Sequence, residues 1–138
     1  MKNLTKAYID SLTYEIIGAA IEVHRQLGPG LLESVYETCL NWELKKRNLH
    51  IEKQQVIPIS YKGHQLDADL RFDILVEKCI VVELKAVTEM LPIFDAQTMT
   101  YARLLQVPKA ILINFTCTNI VKEGQKTFVN ELYRALPD

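Results

Sequence analysis

Three charged side chains, Asp73, Glu83 and Lys85, interrupt two otherwise apolar segments in the middle of the chain. Neighbouring carboxylates are the ligands that Mg²⁺ prefers, and a lysine beside such a pair can orient or activate a water for hydrolysis. The ordinary alternative is that the three charges form the solvated face of a strand pair, because one face of an antiparallel sheet often meets water. The choice depends on how the two segments meet.

Residues 71–86 predict two strands joined by a reversal at Glu77 and Lys78, since both halves are rich in Ile and Val. Only one register builds a continuous apolar face. It pairs Phe72 with Leu84, Ile74 with Val82 and Val76 with Ile80. The same register places Asp73 opposite Glu83, with Cβ atoms roughly 4.5–5.5 Å apart, and a divalent cation between them would relieve their repulsion.

Composition predicts one soluble domain over residues 1–138, with a net charge of −1 and a pI of about 6.3. The near-neutral charge argues against strong non-specific binding to nucleic acid. Three widely spaced cysteines predict reduced thiols. With no segment typical of a signal peptide or a membrane span, we expect a cytoplasmic protein.

Two amphipathic helices precede the central strands. Residues 13–26 predict the first, with Ser11 or Thr13 as its N-cap and Gly28 at its end. His24 falls in its apolar stripe, where a hydrogen-bonded core residue is commoner than a metal ligand.

Residues 31–48 predict the second helix. Its core face would contain Leu32, Cys39, Leu40 and Leu44. Glu33, Tyr36 and Glu37 share the side next to this face. Glu33 either complements the helix dipole or belongs to a site.

The remaining elements alternate between strand and helix. Gln97 and Tyr101 fall on the apolar face of the later helix, where Gln97 would bond either a backbone group or a polar site. The tail, residues 122–136, fits either strand or helix. Strands are predicted at 50–61, 65–76, 79–87 and 109–115, and a helix at 93–106. The fold class is therefore α/β, with a mixed β-sheet flanked by α-helices: a three-strand antiparallel meander and a parallel strand after a crossover helix.

The spacing of Asp73 and Glu83-Leu84-Lys85 resembles the PD-(D/E)XK nuclease signature, whose restriction-endonuclease-like core has this order of elements. Gln97 and Tyr101 resemble the QxxxY element of one branch of that superfamily. Glu33 resembles its helical acidic residue.

Residues 30–36, Gly-Leu-Leu-Glu-Ser-Val-Tyr, resemble the GxxExxY proteins, a small bacterial branch of the same superfamily. The resemblance covers residues 12–115. It implies that Asp73, Glu83 and Glu33 hold Mg²⁺, or alternatively Mn²⁺, and that Lys85 assists the attacking water. Gln97 and Tyr101 would then be catalytic residues that contact substrate phosphate or help place Lys85.

We expect a Mg²⁺-dependent nuclease acting on DNA. The near-neutral charge favours a second hypothesis, a non-catalytic module of the same fold that binds nucleic acid or a protein partner. A phosphodiesterase with a small substrate is a third. Phosphate contacts would come from residues 45–47 with Lys53, or from Arg71 with Arg103, and a homodimer would extend the groove.

Overall fold

The structure is a computed structural model that describes residues 3–138. Within them the chain forms helices at Lys6–Leu27 (α1), Glu33–Lys46 (α2), Pro92–Leu105 (α3) and Glu131–Arg134 (α4). The strands are Ile51–Lys53 (β1), Ile59–Tyr61 (β2), His64–Leu66 (β3), Ile74–Val76 (β4), Ile80–Lys85 (β5), Lys109–Asn114 (β6) and Gln125–Val129 (β7). A π-helical turn at Ile120–Gly124 precedes β7. None of the helices within residues 3–138 has both the length and the hydrophobicity needed to cross a membrane.

The main sheet has five strands in the order β1-β4-β5-β6-β7. Strands β5 and β6 are parallel, and every other neighbouring pair is antiparallel. Helix α3 connects the parallel pair, as a crossover requires. The predicted class, a mixed sheet flanked by helices, is confirmed. The ambiguous tail supplies the edge strand β7 and the short helix α4.

The central hairpin has the predicted register, because Ile74 pairs with Val82 and Val76 with Ile80. Glu77 and Lys78 both have positive φ angles, 50° and 57°. The Cys79 N–H donates to the Val76 carbonyl at 3.0 Å, which closes the turn. Two successive left-handed residues match the right-handed twist of the strands that they join.

The two predicted strands before this hairpin, 50–61 and 65–76, are wrong as continuous strands. Only β1 joins β4 at the sheet edge, while β2 and β3 form a separate two-stranded hairpin. Positive φ angles at Lys62 and Gly63 permit that local reversal. Arg71, between β3 and β4, makes one isolated bridge with Val56, which lies between β1 and β2. The strict alternation of faces therefore stops before β4 begins.

Phe72 shows the consequence of this break. It was expected on the same face as Ile74, but it packs in the second hydrophobic cluster with Leu75 and Val81. Ile74 belongs to the first cluster. The sheet therefore buries apolar side chains on both faces, one beneath α1 and α2 and the other beneath α3.

Helix α1 begins earlier than predicted. Thr5 is its N-cap, with a side chain that accepts a hydrogen bond from the Tyr8 N–H at 3.0 Å. The Ser11 and Thr13 hydroxyls instead donate to helix carbonyls, so neither is the predicted cap. His24 is hydrogen-bonded as expected, with Nε2 2.8 Å from the Cys117 carbonyl oxygen.

Helix α2 begins at Glu33, two residues later than predicted. Leu32 lies outside it and is 74% exposed, so its predicted place in the core is wrong. Leu40 and Leu44 are fully buried as predicted. The start at Glu33 is important because it places two acidic side chains, Glu33 and Glu37, on the first turns of α2.

Candidate functional site

Asp73 and Glu83 contact each other on adjacent strands of the central hairpin. Asp73 directly precedes β4, and Glu83 lies within β5. The Glu83 carboxylate accepts a hydrogen bond from the Asp73 N–H at 2.9 Å, and the Asp73 carboxylate accepts one from the Leu84 N–H at 2.8 Å. These reciprocal bonds fix both carboxyl groups against the hairpin backbone.

Glu83 is almost inaccessible to solvent, with 6% exposure. Burial raises the pKa of Glu83 to about 9, and the charge of Asp73 and a hydrogen bond with its carboxyl group add to this effect. Two carboxyl groups in contact cannot easily carry two charges. Without a cation, Glu83 therefore holds a proton at neutral pH. The alternative of an ordinary solvated face is wrong for this residue.

Lys85 lies two residues beyond Glu83, at the end of β5. Its Nζ atom stands over the Phe94 ring of α3, 4.5 Å from the ring centroid. Its backbone carbonyl accepts a hydrogen bond from the Phe115 N–H at 3.0 Å. The positive charge of Lys85 opposes the rise in the pKa of both Glu83 and Glu33, so the amine lies within electrostatic reach of the two acids.

Helix α2 brings two acids towards this pair. The pKa of Glu33 is raised, mainly by partial burial of its carboxyl group and next by repulsion from Asp73. The Glu33 residue as a whole is exposed. Burial also raises the pKa of Glu37, a hydrogen bond from Gln54 opposes this rise, and Asp73 adds to it. Glu37 was not among the predicted site residues. Its spacing of four from Glu33 was the signal that could have identified it.

Tyr36 explains how the start of α2 is held in place. Its side chain is fully buried, and its ring stacks on Phe115 with centroids 4.5 Å apart. The hydroxyl donates to the Gly28 carbonyl at 2.6 Å and accepts from the Leu31 N–H at 3.1 Å. Gly30, between these two partners, has a φ of 103°, which glycine adopts readily. Tyr36 therefore fixes the loop that presents Glu33.

Helix α3 supplies Tyr101 but not a buried Gln97. Burial, followed by the charges of Glu83 and Asp73, raises the pKa of Tyr101, so its phenol lies within electrostatic reach of the carboxylate pair. Gln97 is exposed, and its predicted place on the apolar face is wrong. The buried stripe of α3 contains Thr98, Tyr101 and Ala102, and Gln97 falls at its edge.

Arg71 lies two residues before Asp73 and is exposed. Its guanidinium donates to the Asp69 carboxylate at 2.9 Å and to the Gln54 carbonyl at 3.0 Å. The structure therefore places Arg71 against the backbone of Gln54, with its charge already partnered by Asp69.

Within residues 3–138, no three His, Cys, Asp or Glu side chains are gathered closely enough to hold a metal ion by themselves. Glu33 is therefore not part of such a group with Asp73 and Glu83. Mg²⁺ does not need one, because it often binds one or two carboxylates and takes its other ligands from water and substrate phosphate. The Asp73–Glu83 pair fits this pattern, since two oxygen donors share a site that favours a positive charge.

One comparison with known proteins gives a match. A family profile described as the PD-(D/E)XK nuclease superfamily matches residues 10–128, a segment that includes all of the predicted site residues. Searches of curated proteins and of solved structures find no significant match. Because the family profile covers most of the sequence, the chain belongs to the PD-(D/E)XK nuclease superfamily.

Proposed function

We propose that this protein is a metal-dependent nuclease that hydrolyses phosphodiester bonds, with DNA as its substrate. The observation that carries the proposal is the buried contact between Asp73 and Glu83, with Lys85 two residues further along the same strand. The chain belongs to the PD-(D/E)XK superfamily, and the spacing of these three residues resembles the superfamily signature.

Asp73 and Glu83 would hold Mg²⁺ or Mn²⁺. When bound, the cation would polarise the phosphate and lower the pKa of the attacking water. Lys85 would orient that water and stabilise the negative charge that develops on the phosphate. The Phe94 ring, with its centroid 4.5 Å from the Lys85 amine, would help to hold the amine in place.

The surrounding polar residues would bind the substrate. Glu33 would approach the cation from α2 and orient its water. Tyr101 lies within electrostatic reach of the carboxylate pair, and its hydroxyl would donate to a phosphate oxygen. Exposed Gln97 and Arg71 would contact phosphates further along the strand, and Arg71 would exchange its Asp69 partner for a phosphate.

We also propose that the chain belongs to the GxxExxY branch, in which residues 1–138 form one nuclease domain of a bacterial cytoplasmic protein. The support is Tyr36, whose hydroxyl bonds join both sides of the Gly30 turn and thereby set the position of Glu33. The three free cysteines are consistent with a reducing compartment.

A second candidate is a non-catalytic module that binds nucleic acid or a protein partner. The partnered arginines favour it: Arg71 pairs with Asp69 at 2.9 Å, and Arg47 pairs with Glu15 at 2.8 Å. Both arginines belong to the clusters expected to contact phosphate, and the net charge is only −1. Such a surface binds a phosphate backbone weakly unless a homodimer or a partner extends it.

A cleavage assay separates the two candidates. Wild type, Asp73→Ala and Lys85→Ala are incubated with single-stranded and double-stranded DNA and with RNA, in Mg²⁺, Mn²⁺ or EDTA. We expect metal-dependent cleavage by wild type and a loss of at least about 10²-fold in each variant, because each removes a group that stabilises charge in the transition state. Circular dichroism should show that both variants fold.

Asp67→Ala is the matched control, because Asp67 is an exposed aspartate on the same segment. It should cleave at the wild-type rate. If Asp73→Ala cleaves as fast as wild type, the site assignment is wrong. If wild type binds these nucleic acids but cleaves none of them with either metal, the binding module is the better conclusion.

A further inference from the structure

We propose that Gln54 is a positioning residue that holds the Asp73 carboxylate in the orientation needed to bind a cation. This inference rests on the proposed function and extends it to a residue outside the superfamily signature. Gln54 directly follows β1, the strand that pairs with β4, and therefore stands beside Asp73 at the edge of the main sheet.

The side-chain amide of Gln54 bridges two acids. Its Nε2 atom donates to Asp73 Oδ1 at 3.1 Å and to Glu37 Oε1 at 2.7 Å. Ionised carboxylates only accept hydrogen bonds, so the amide nitrogen and not its oxygen must face both. Both hydrogens of the amide are then used, and the repulsion between the two acids is reduced.

The opposite side of the Asp73 carboxylate is held as well. Its Oδ2 atom accepts from the Leu84 N–H at 2.8 Å. Each of the two carboxylate oxygens therefore accepts a hydrogen bond from a different segment, and the two bonds fix the plane of the carboxylate. Each carboxylate oxygen has a second lone pair. One of them is used by the hydrogen bond with the Glu83 carboxyl group, and it becomes available to a cation when Glu83 loses its proton.

The backbone of Gln54 is equally constrained. Its N–H donates to the Asp73 carbonyl at 3.0 Å, and its own carbonyl accepts from Arg71 at 3.0 Å. Its φ angle is 50°, in the left-handed region that glycine adopts without strain and other residues adopt rarely. A glutamine held in this conformation, with its side chain directed at a ligand residue, indicates a role that glycine could not fill.

In known metal sites, residues that hydrogen-bond to a metal-binding side chain orient it in the same way. Loss of such a partner typically lowers metal affinity about 10–100-fold. Glu37 contributes indirectly, because its carboxylate holds the amide of Gln54 in place.

The test measures Mn²⁺ affinity by isothermal titration without nucleic acid, and melting temperature in parallel. Gln54→Gly removes the amide and relieves the backbone strain, while Gln54→Met keeps the length and the strain but removes the donors. We expect both variants to bind Mn²⁺ about 10–100-fold more weakly than wild type. The melting temperature shows whether each variant is folded at the temperature of the titration, so that weaker binding is not a loss of structure.

Lys62→Gly is the matched control, since exposed Lys62 also has a φ of 50° and lies in the separate β2–β3 hairpin. This variant should bind Mn²⁺ with wild-type affinity. Glu37→Gln should weaken binding less than Gln54→Met, and should cause no further loss when combined with Gln54→Met.

Two outcomes would overturn the proposal, and they differ in what else they overturn. If both Gln54 variants bind Mn²⁺ like wild type while Asp73→Ala loses binding, the positioning role is wrong and the proposed metal site stands. If wild type does not bind Mn²⁺, or if Asp73→Ala binds as well as wild type, the proposed metal site fails and the role of Gln54 fails with it.

Discussion

Protons and divalent cations should compete for Glu83. Burial and the neighbouring Asp73 raise the pKa of Glu83 to about 9, so in metal-free protein this carboxyl group is protonated at neutral pH. A carboxylate must lose its proton to coordinate a metal ion. We therefore predict that cation affinity rises with pH well above the range in which an ordinary glutamate titrates.

The size of the effect follows from this pKa. With a value of about 9, the ionised fraction of Glu83 is about 1% at pH 7 and about 10% at pH 8, since each pH unit below the pKa reduces it about tenfold. The apparent affinity for Mn²⁺ should rise by the same factor of about ten per pH unit between roughly pH 6.5 and 8.5. Each Mn²⁺ bound near neutral pH should release about one proton.

Isothermal titration in buffers of different ionisation enthalpy measures both quantities. The Glu83→Gln variant is the control: it should bind more weakly, release no proton and show little pH dependence over this range. A wild-type affinity that is flat between pH 6.5 and 8.5, or binding without proton release, would refute the assignment of Glu83 as a protonated metal ligand.

The same pKa predicts how metal-free stability depends on pH. The pKa of Glu83 in the folded protein lies above its ordinary value of 4.5, so protonation favours the folded state. This contribution is fully present below the ordinary value and is lost as pH rises towards about 9. In EDTA, the melting temperature should therefore fall with rising pH more steeply in wild type than in Glu83→Gln.

Further predictions concern stability. Millimolar Mg²⁺ or Mn²⁺ should raise the melting temperature, because a cation at about 100 times its Kd stabilises the folded state by about 2.7 kcal/mol; an unchanged melting temperature would count against a preformed site. Tyr36→Phe should lower the free energy of unfolding in urea by about 1–3 kcal/mol, because the bonds to Gly28 and Leu31 are lost while the stack on Phe115 remains. Asn41→Leu should raise it by about 1 kcal/mol, since Asn41 Oδ1 is buried without a hydrogen-bond partner within residues 3–138; a lower value would show that the oxygen has a partner.

The alternation of apolar residues was sufficient to predict the central hairpin. A slip of one residue would have moved Ile74 and Val82 away from the first hydrophobic cluster to the opposite face of the sheet, so matching of the apolar faces favoured this register. That register brought Asp73 and Glu83 together and left Lys85 beside them. The contact between the two carboxylates was therefore predictable from local sequence, and so was the parallel crossover through α3.

Periodicity was less informative where the chain leaves regular structure. It predicted one strand over 65–76, but the turn at Lys62 and Gly63 draws β2 and β3 into a hairpin of their own. It also placed Gln97 on the buried face of α3, although Gln97 falls at the edge of the buried stripe. Helical periodicity indicates which side of a helix is apolar. How wide a stripe of side chains is buried on that side depends on the elements that pack against it.

The sequence by itself determined the hairpin, its register and the three charged residues at its end, because these depend on neighbours within a few residues and on a single requirement for burial. Only the tertiary structure decided that Glu83 is buried deeply enough to hold a proton. It also decided that Gln54, at the end of β1, bonds both Asp73 and Glu37 of α2. These partners are 19 and 17 residues away from Gln54 in the sequence. Such contacts depend on how separate elements pack, and no local spacing encodes that packing.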